Sequence, residues 1–158
     1  MKQTTLCYLQ QDDQWLMLHR VKKIVDASHD KWIGVGGKCE AGESPDECML
    51  REVFEETGLT VTEWQYRGIV TFISDIWPSE YMHLFTATRW QGTLSECDEG
   101  ELQWIPIPQV NKLNLWQGDR IFLRLLRYPN QPFFSLKLVY HDANLIEAKL
   151  NNNPIPCQ

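Results

Sequence analysis

Hydrophobic and polar positions divide the chain into short strands and two helices. Residues 5–9 and 15–19 are apolar-rich runs around the polar stretch Gln10-Gln11-Asp12-Asp13-Gln14, which predicts two strands and a turn. A basic, polar loop through Lys22, Lys23 and Lys31 follows, and then Trp32-Ile33-Gly34-Val35-Gly36-Gly37-Lys38 starts strand-like and becomes glycine-rich. Backbone of that kind can come close to a ligand. Residues 66–76 and 81–90 are rich in β-branched and aromatic side chains and predict a strand pair joined around Trp77-Pro78-Ser79. A short strand at 102–105 follows the acidic loop 96–101, and residues 133–140 and 144–150 predict a terminal pair.

The helices interrupt these strands. Residues 45–57 carry start and stop signals: Ser44 to cap, Pro45 at the first position, Glu47 to complete a capping box, Gly58 to end it. Ile121, Phe122, Leu125 and Leu126 recur at helical spacing after Trp116-Gln117-Gly118-Asp119, and Tyr128-Pro129-Asn130 stops the pattern. Strands before and after each helix imply an α/β fold, a mixed β-sheet between helices in an α/β/α sandwich. The chain of 158 residues fits a single domain over 1–158, with residues 151–158 expected as a frayed tail.

Composition narrows the partners. No stretch approaches the ~20 apolar residues of a membrane span, and the N-terminus lacks the apolar region of a secretory signal, so the expectation is cytoplasmic. Five scattered cysteines with no C-x-x-C pair, and four scattered histidines, do not suggest zinc. A net charge of −6 argues against a nucleic-acid polymer, because such binding rests on a field of Lys and Arg. An anionic small molecule would need a cation as escort.

The first helix carries the candidate chemistry. At about 100° per residue, Glu52, Glu55 and Glu56 fall within roughly one 100° sector, while Leu50, Val53, Phe54 and Thr57 are centred away from it. A merely solvated acidic face has this pattern too. Compact oxygen donors are nevertheless what hard divalent ions take, and Gly36 and Gly37 add carbonyls beside them. The loop 34–39 lacks the third glycine of a dinucleotide fingerprint, and Cys39 is not the Ser or Thr of a P-loop. A metal bridging carboxylates to phosphate oxygens is the remaining economical arrangement.

Gly37, five residues, Glu43, seven residues, then Arg51-Glu52-Val53-Phe54-Glu55-Glu56-Thr57-Gly58-Leu59 resembles the Nudix box G-x5-E-x7-R-E-U-x-E-E-x-G-U at every fixed position. The resemblance implies the Nudix fold and hydrolysis of a nucleoside diphosphate linked to another moiety. It implies Mg²⁺, with Mn²⁺ as a substitute, at Glu52, Glu55, Glu56 and the Gly37 carbonyl, with Arg51 and Glu43 supporting them. Glu55 or Glu56 would orient or deprotonate the attacking water, and the further acidic ligand of the family matches Glu99.

The chain looks closest to the MutT-like group that hydrolyses oxidised purine triphosphates such as 8-oxo-dGTP to the monophosphate and pyrophosphate. The tract 31–38, with Ile33 and Lys38, resembles that group before the box, and Trp116-Gln117-Gly118-Asp119 resembles its downstream Trp-Pro-Asp-Asp. The resemblance implies that Trp116 stacks on the purine and Asp119 reads its edge, with Phe72 in the same pocket. Two departures stand out: Gly118 replaces the first of two acids, and Ile33 replaces an asparagine that contacts the base. Simpler roles also fit, with Trp116 and Phe72 in the core and Asp119 as a helix cap. Other readings are hydrolysis of ADP-ribose or a dinucleoside polyphosphate, and a non-catalytic nucleotide-binding module.

Overall fold

The computed structural model describes residues 1–22 and 26–158; Lys23 of the basic loop lies outside the described residues. Strands β1 (Lys2–Gln11) and β2 (Gln14–His19) form a hairpin. Its turn needs two left-handed residues, and Asp12 and Asp13 take φ of 50° and 60°. After β3 (Trp32–Ile33) come α1 (Pro45–Thr57), β4 (Thr60–Ser74) and β5 (Glu80–Gln91). Then follow β6 (Glu101–Pro106), a 3₁₀ turn (Ile107–Lys112), α2 (Asp119–Leu126), β7 (Phe134–His141), β8 (Asn144–Leu150) and β9 (Asn153–Pro154).

The sheet runs β3-β2-β1-β5-β4-β7-β8-β9, with β6 added to β2. Pairs β1/β5 and β4/β7 are parallel and the others antiparallel, so the sheet is mixed. Alternation along β1 shows the layering. Leu6 and Tyr8 pack with Ile121 and Phe122 of α2, whereas Cys7 and Leu9 pack with Met49 and Val53 of α1. The sheet therefore lies between the two helices. Met49 and Val53 are fully buried and contribute roughly 1.5–3 kcal/mol each to seating α1.

The structure departs from several of these expectations. The strand-like run 32–38 is a strand only at Trp32–Ile33; beyond it Val35 and Lys38 leave β2 and bridge to Cys7 and Thr4 of β1. The apolar face of α1 consists of Cys48, Met49, Val53 and Thr57, while Phe54 is 56% exposed. Glu56 lies with the buried set, because positions 49, 53 and 56 follow one helical track toward the sheet. The three box glutamates therefore do not share one solvent-facing surface. The tail is not frayed: Asn153–Pro154 pair with Lys149–Leu150, and Ile155 and Cys157 pack on the core. Among the described residues, no helix is long and apolar enough to cross a membrane.

Candidate active site

Both ends of α1 are pinned. The Ser44 hydroxyl accepts from Glu47 N at 3.1 Å, Glu47 Oε1 accepts from Ser44 N at 2.9 Å, and Gly58, at φ 77°, ends the helix by donating to Phe54 O. A helix fixed this way holds its glutamates in fixed directions. The preceding loop is tied down by Arg51, which donates to Lys38 O at 3.0 Å and to both oxygens of Glu43. The same guanidinium reaches Glu52 Oε1 at 2.8 Å and Glu55 Oε2 at 3.1 Å. Arg51 and its hydrogen bond lower the Glu43 carboxyl to about 2.

Glu52, Glu56 and Glu99 form the acidic centre. Glu56 is 8% exposed and accepts the Gly36 N–H at 3.0 Å. Burial, and then the neighbouring Glu99 side chain, push its carboxyl up to about 9. Burial likewise raises Glu52, against the opposing pull of Arg51. Arg20 donates to Glu99 Oε2 at 3.0 Å and to Asp26 Oδ2 at 2.9 Å, so the turn carrying Glu99 is held against the chain after β2. Glu55 differs, with a side chain 55% exposed and turned to Arg51.

The donor set suits a hard divalent cation. It is oxygen-only, and its carboxylates repel one another and are partly buried, a state that a cation relieves. Gly37 adds a steric reason: a Cβ there would stand 2.5 Å from Glu52 Oε2, so only glycine lets the carboxylate close on the loop. The Gly37 carbonyl accepts from Thr5 N at 2.9 Å and only a weak second bond from the Cys48 thiol, whose Sγ is 3.8 Å away. Among the described residues, no three His, Cys, Asp or Glu side chains already converge as a cage. Arg51 and Arg20 hold the carboxylates that would have to converge.

A cavity of about 450 Å³ opens here. Gly37, Lys38, Glu52 and Glu99 line it, and so do Ile33, Phe72, Trp116 and Asp119. Trp116 is 8% exposed and meets Phe72 and Tyr140 edge-on, with centroids 5.6 Å and 5.0 Å away. Its Nε1 donates to Ser28 Oγ at 3.0 Å, and Lys31 Nζ lies 5.3 Å from its ring. Trp116 is thus both core and cavity wall. Asp119 is 6% exposed, and burial pushes its carboxyl up to about 8, with Lys31 opposing and Glu80 adding to the rise. It does not cap α2: Gly118 holds the cap position and no side chain bonds there.

The NUDIX domain profile matches residues 2–126. The chain belongs to the Nudix hydrolase family. This Nudix hydrolase is 36% identical over 124 residues to the uncharacterised Nudix hydrolase YvcI of Bacillus subtilis, covering 75% of each chain. It is 32% identical over 123 residues to the oxidized purine nucleoside triphosphate hydrolase of Danio rerio, covering 77% of this chain and 78% of that one. Among solved structures, the mutator MutT protein of Bacillus halodurans superposes with a TM-score of 0.84 at 28% identity, covering 98% of this chain and 100% of that one.

The fold thus brings together eight of the residues singled out from sequence, those named above as lining the cavity. Arg51, Glu43, Glu55 and Glu56 stand outside the lining, the first three joined to one another by ion pairs of Arg51, and Glu56 held by the Gly36 N–H. Sequence reasoning about this Nudix hydrolase missed Arg20, Thr4 and Glu80. Arg20 and Glu99 are 79 positions apart, and Thr4 and Glu80 are 76 apart, so only the sheet register unites them. The one local signal was an unexplained charge at the start of an apolar strand, Glu80.

Proposed function

We propose that this Nudix hydrolase cleaves purine nucleoside triphosphates, oxidised ones such as 8-oxo-dGTP included, to the monophosphate and pyrophosphate with Mg²⁺. Its role would be to clear damaged nucleotides from the cytoplasmic pool. One observation carries this reading: a single cavity, of a size suited to a nucleotide, is lined both by the box residues and by Trp116 with Asp119. The zebrafish relative, named for oxidised purine triphosphates, supports the same substrate class.

In this reading Glu52, Glu56 and Glu99 with the Gly37 carbonyl hold the metal, and Arg51 and Glu43 keep loop and helix aligned. Bound Mg²⁺ neutralises phosphate oxygens and the charge that develops on them. Of Glu55 and Glu56, the inward Glu56 is better placed to orient the attacking water, since Glu55 is half-exposed and engaged by Arg51. Lys38 offers its ammonium to the phosphates. Trp116 stacks on the base, a contact worth about 1–3 kcal/mol, and Phe72 and Ile33 close the apolar walls.

The test is a nucleotide panel scored for pyrophosphate against phosphate release, with Mg²⁺, with Mn²⁺ and with chelator. Pyrophosphate from 8-oxo-dGTP or dGTP, abolished by chelation, is expected. No pyrophosphate from these or their ribo-forms, or turnover confined to ADP-ribose or dinucleoside polyphosphates, would overturn the reading.

A further inference from the structure

Position 118 carries no acid and is crowded by its neighbours. A Cβ on Gly118 would stand 2.5 Å from Leu138 Cδ1 and 2.7 Å from the Tyr140 hydroxyl oxygen, so any side chain there would have to displace two buried neighbours. Yet the Asp119 carboxyl lines the cavity at 6% exposure, and among the described residues no hydrogen-bond donor reaches it. A buried carboxyl left without partners is costly, and its missing partner is then a group that enters the cavity.

Glu80 lines the same cavity from another direction. It opens β5 in register with Lys2 of β1. Its Oε1 accepts from the Thr4 hydroxyl at 2.9 Å, and its Oε2 lies 3.8 Å from Lys2 Nζ. One oxygen is therefore fixed by a neutral donor, and the other is only loosely engaged and left to accept. Glu80 and Asp119 feel each other electrostatically, with Glu80 raising the Asp119 carboxyl. Burial raises both carboxyls, Asp119 has no cation in hydrogen-bond contact among the described residues, and Glu80 is fixed by Thr4, so the arrangement favours the proton on Asp119 and the charge on Glu80.

We propose that Glu80 is the second base-reading acid of the cavity, accepting the neighbouring N–H groups of a purine's Watson–Crick edge while Asp119 donates to its ring carbonyl. This rests on the reading that the cavity takes a purine nucleotide. The ligand class follows from the chemistry: an acceptor beside a donor suits a guanine-type edge, whose ring N–H and amino group adjoin a carbonyl. An adenine-type edge offers one amino donor and a ring nitrogen acceptor, and so engages only part of the pair.

Binding of nucleoside monophosphates tests this without requiring turnover. Calorimetric titration of 8-oxo-dGMP, dGMP and dAMP is run on the wild-type protein and on Glu80→Gln, which keeps shape and the Thr4 contact but turns one acceptor into a donor. Glu80→Gln should weaken both guanine-type ligands by about tenfold and dAMP by less than about threefold. Thr4→Val, which releases Glu80 without removing it, should give a smaller loss in the same order of ligands and serves if Glu80→Gln does not fold. An equal loss for all three, no loss, or no binding by the wild type overturns the proposal. Failure of the pyrophosphohydrolase reading would show differently, as this pattern intact without pyrophosphate release.

Discussion

Arg51 grips Glu43 with two edges of its guanidinium, Nε to Oε2 at 2.7 Å and Nη2 to Oε1 at 2.9 Å. That fork fixes the loop 38–43 to α1, and the remaining Nη1 restrains Glu52 and Glu55 on the same helix. Geometry of this kind belongs to arginine, since an ammonium presents a point charge and no planar fork. Arg51→Lys should therefore lower turnover and Mg²⁺ affinity by about 10–100-fold, the usual cost of losing a group that orients metal ligands. Calorimetric metal titration and the Mg²⁺ dependence of kcat check it; an unchanged metal dependence would sink the clamp argument.

Glu56 is the glutamate that the fold turns inward. Glu56→Gln keeps an acceptor for the Gly36 N–H and removes a buried acid, so the folded protein should be no less stable. Turnover should fall by about 10²–10⁴-fold, the range of general-base losses. Nucleotide binding should persist. Single-turnover kinetics read beside a thermal melt separate these, and turnover within threefold of wild type would exclude Glu56 from the chemistry.

Local signals made the helix carrying the box legible. Ser44, Pro45, Glu47 and Gly58 act within a few residues of the helix they delimit, and the helix runs over 45–57 as they dictate. Strand existence was legible too, although β4 and β5 are longer than the 66–76 and 81–90 read from β-branched and aromatic runs. What remained hidden depends on distant pairing. Burial of Glu56 beside Gly36 and the arrival of Glu80 in the cavity follow from where β1, β5 and the box loop meet, and the hold of Arg20 on Glu99 follows from the pairing of His19 with Glu101 between β2 and β6. The tail misled because Asn151-Asn152-Asn153-Pro154 is polar; its order comes from backbone pairing to β8 and from Ile155 and Cys157 reaching the core.

Ile33 lines the cavity where the resemblance places an asparagine. Being apolar, it provides contact area but no hydrogen bond to a base edge. Ile33→Asn should raise the preference of kcat/KM for 8-oxo-dGTP over dATP by about threefold to tenfold, the effect of one added hydrogen bond. Side-by-side competition assays measure it, and an unaltered ratio would place the base out of reach of position 33.

Asp119 makes folding itself depend on pH. Its carboxyl ordinarily ionises near 3.8 and stands at about 8 in the fold, raised by burial, opposed by Lys31, raised further by Glu80 and opposed by Arg120. Tyr8 and Tyr140 also feel its charge. Between those two values the folded protein keeps a proton that the unfolded chain has released, so this group's stabilisation falls as pH rises. Its contribution is complete below about pH 4, declines up to about pH 8, and is flat above. Asp119→Asn keeps the size of the side chain and removes the titration, so its stability should decline less across that window, and its advantage over wild type should grow toward pH 8. Urea unfolding of both proteins at several pH values between 5 and 9 measures this. Parallel stability curves would mean that Asp119 is ionised in the folded protein at neutral pH, and with it the donor role at the base edge would fall.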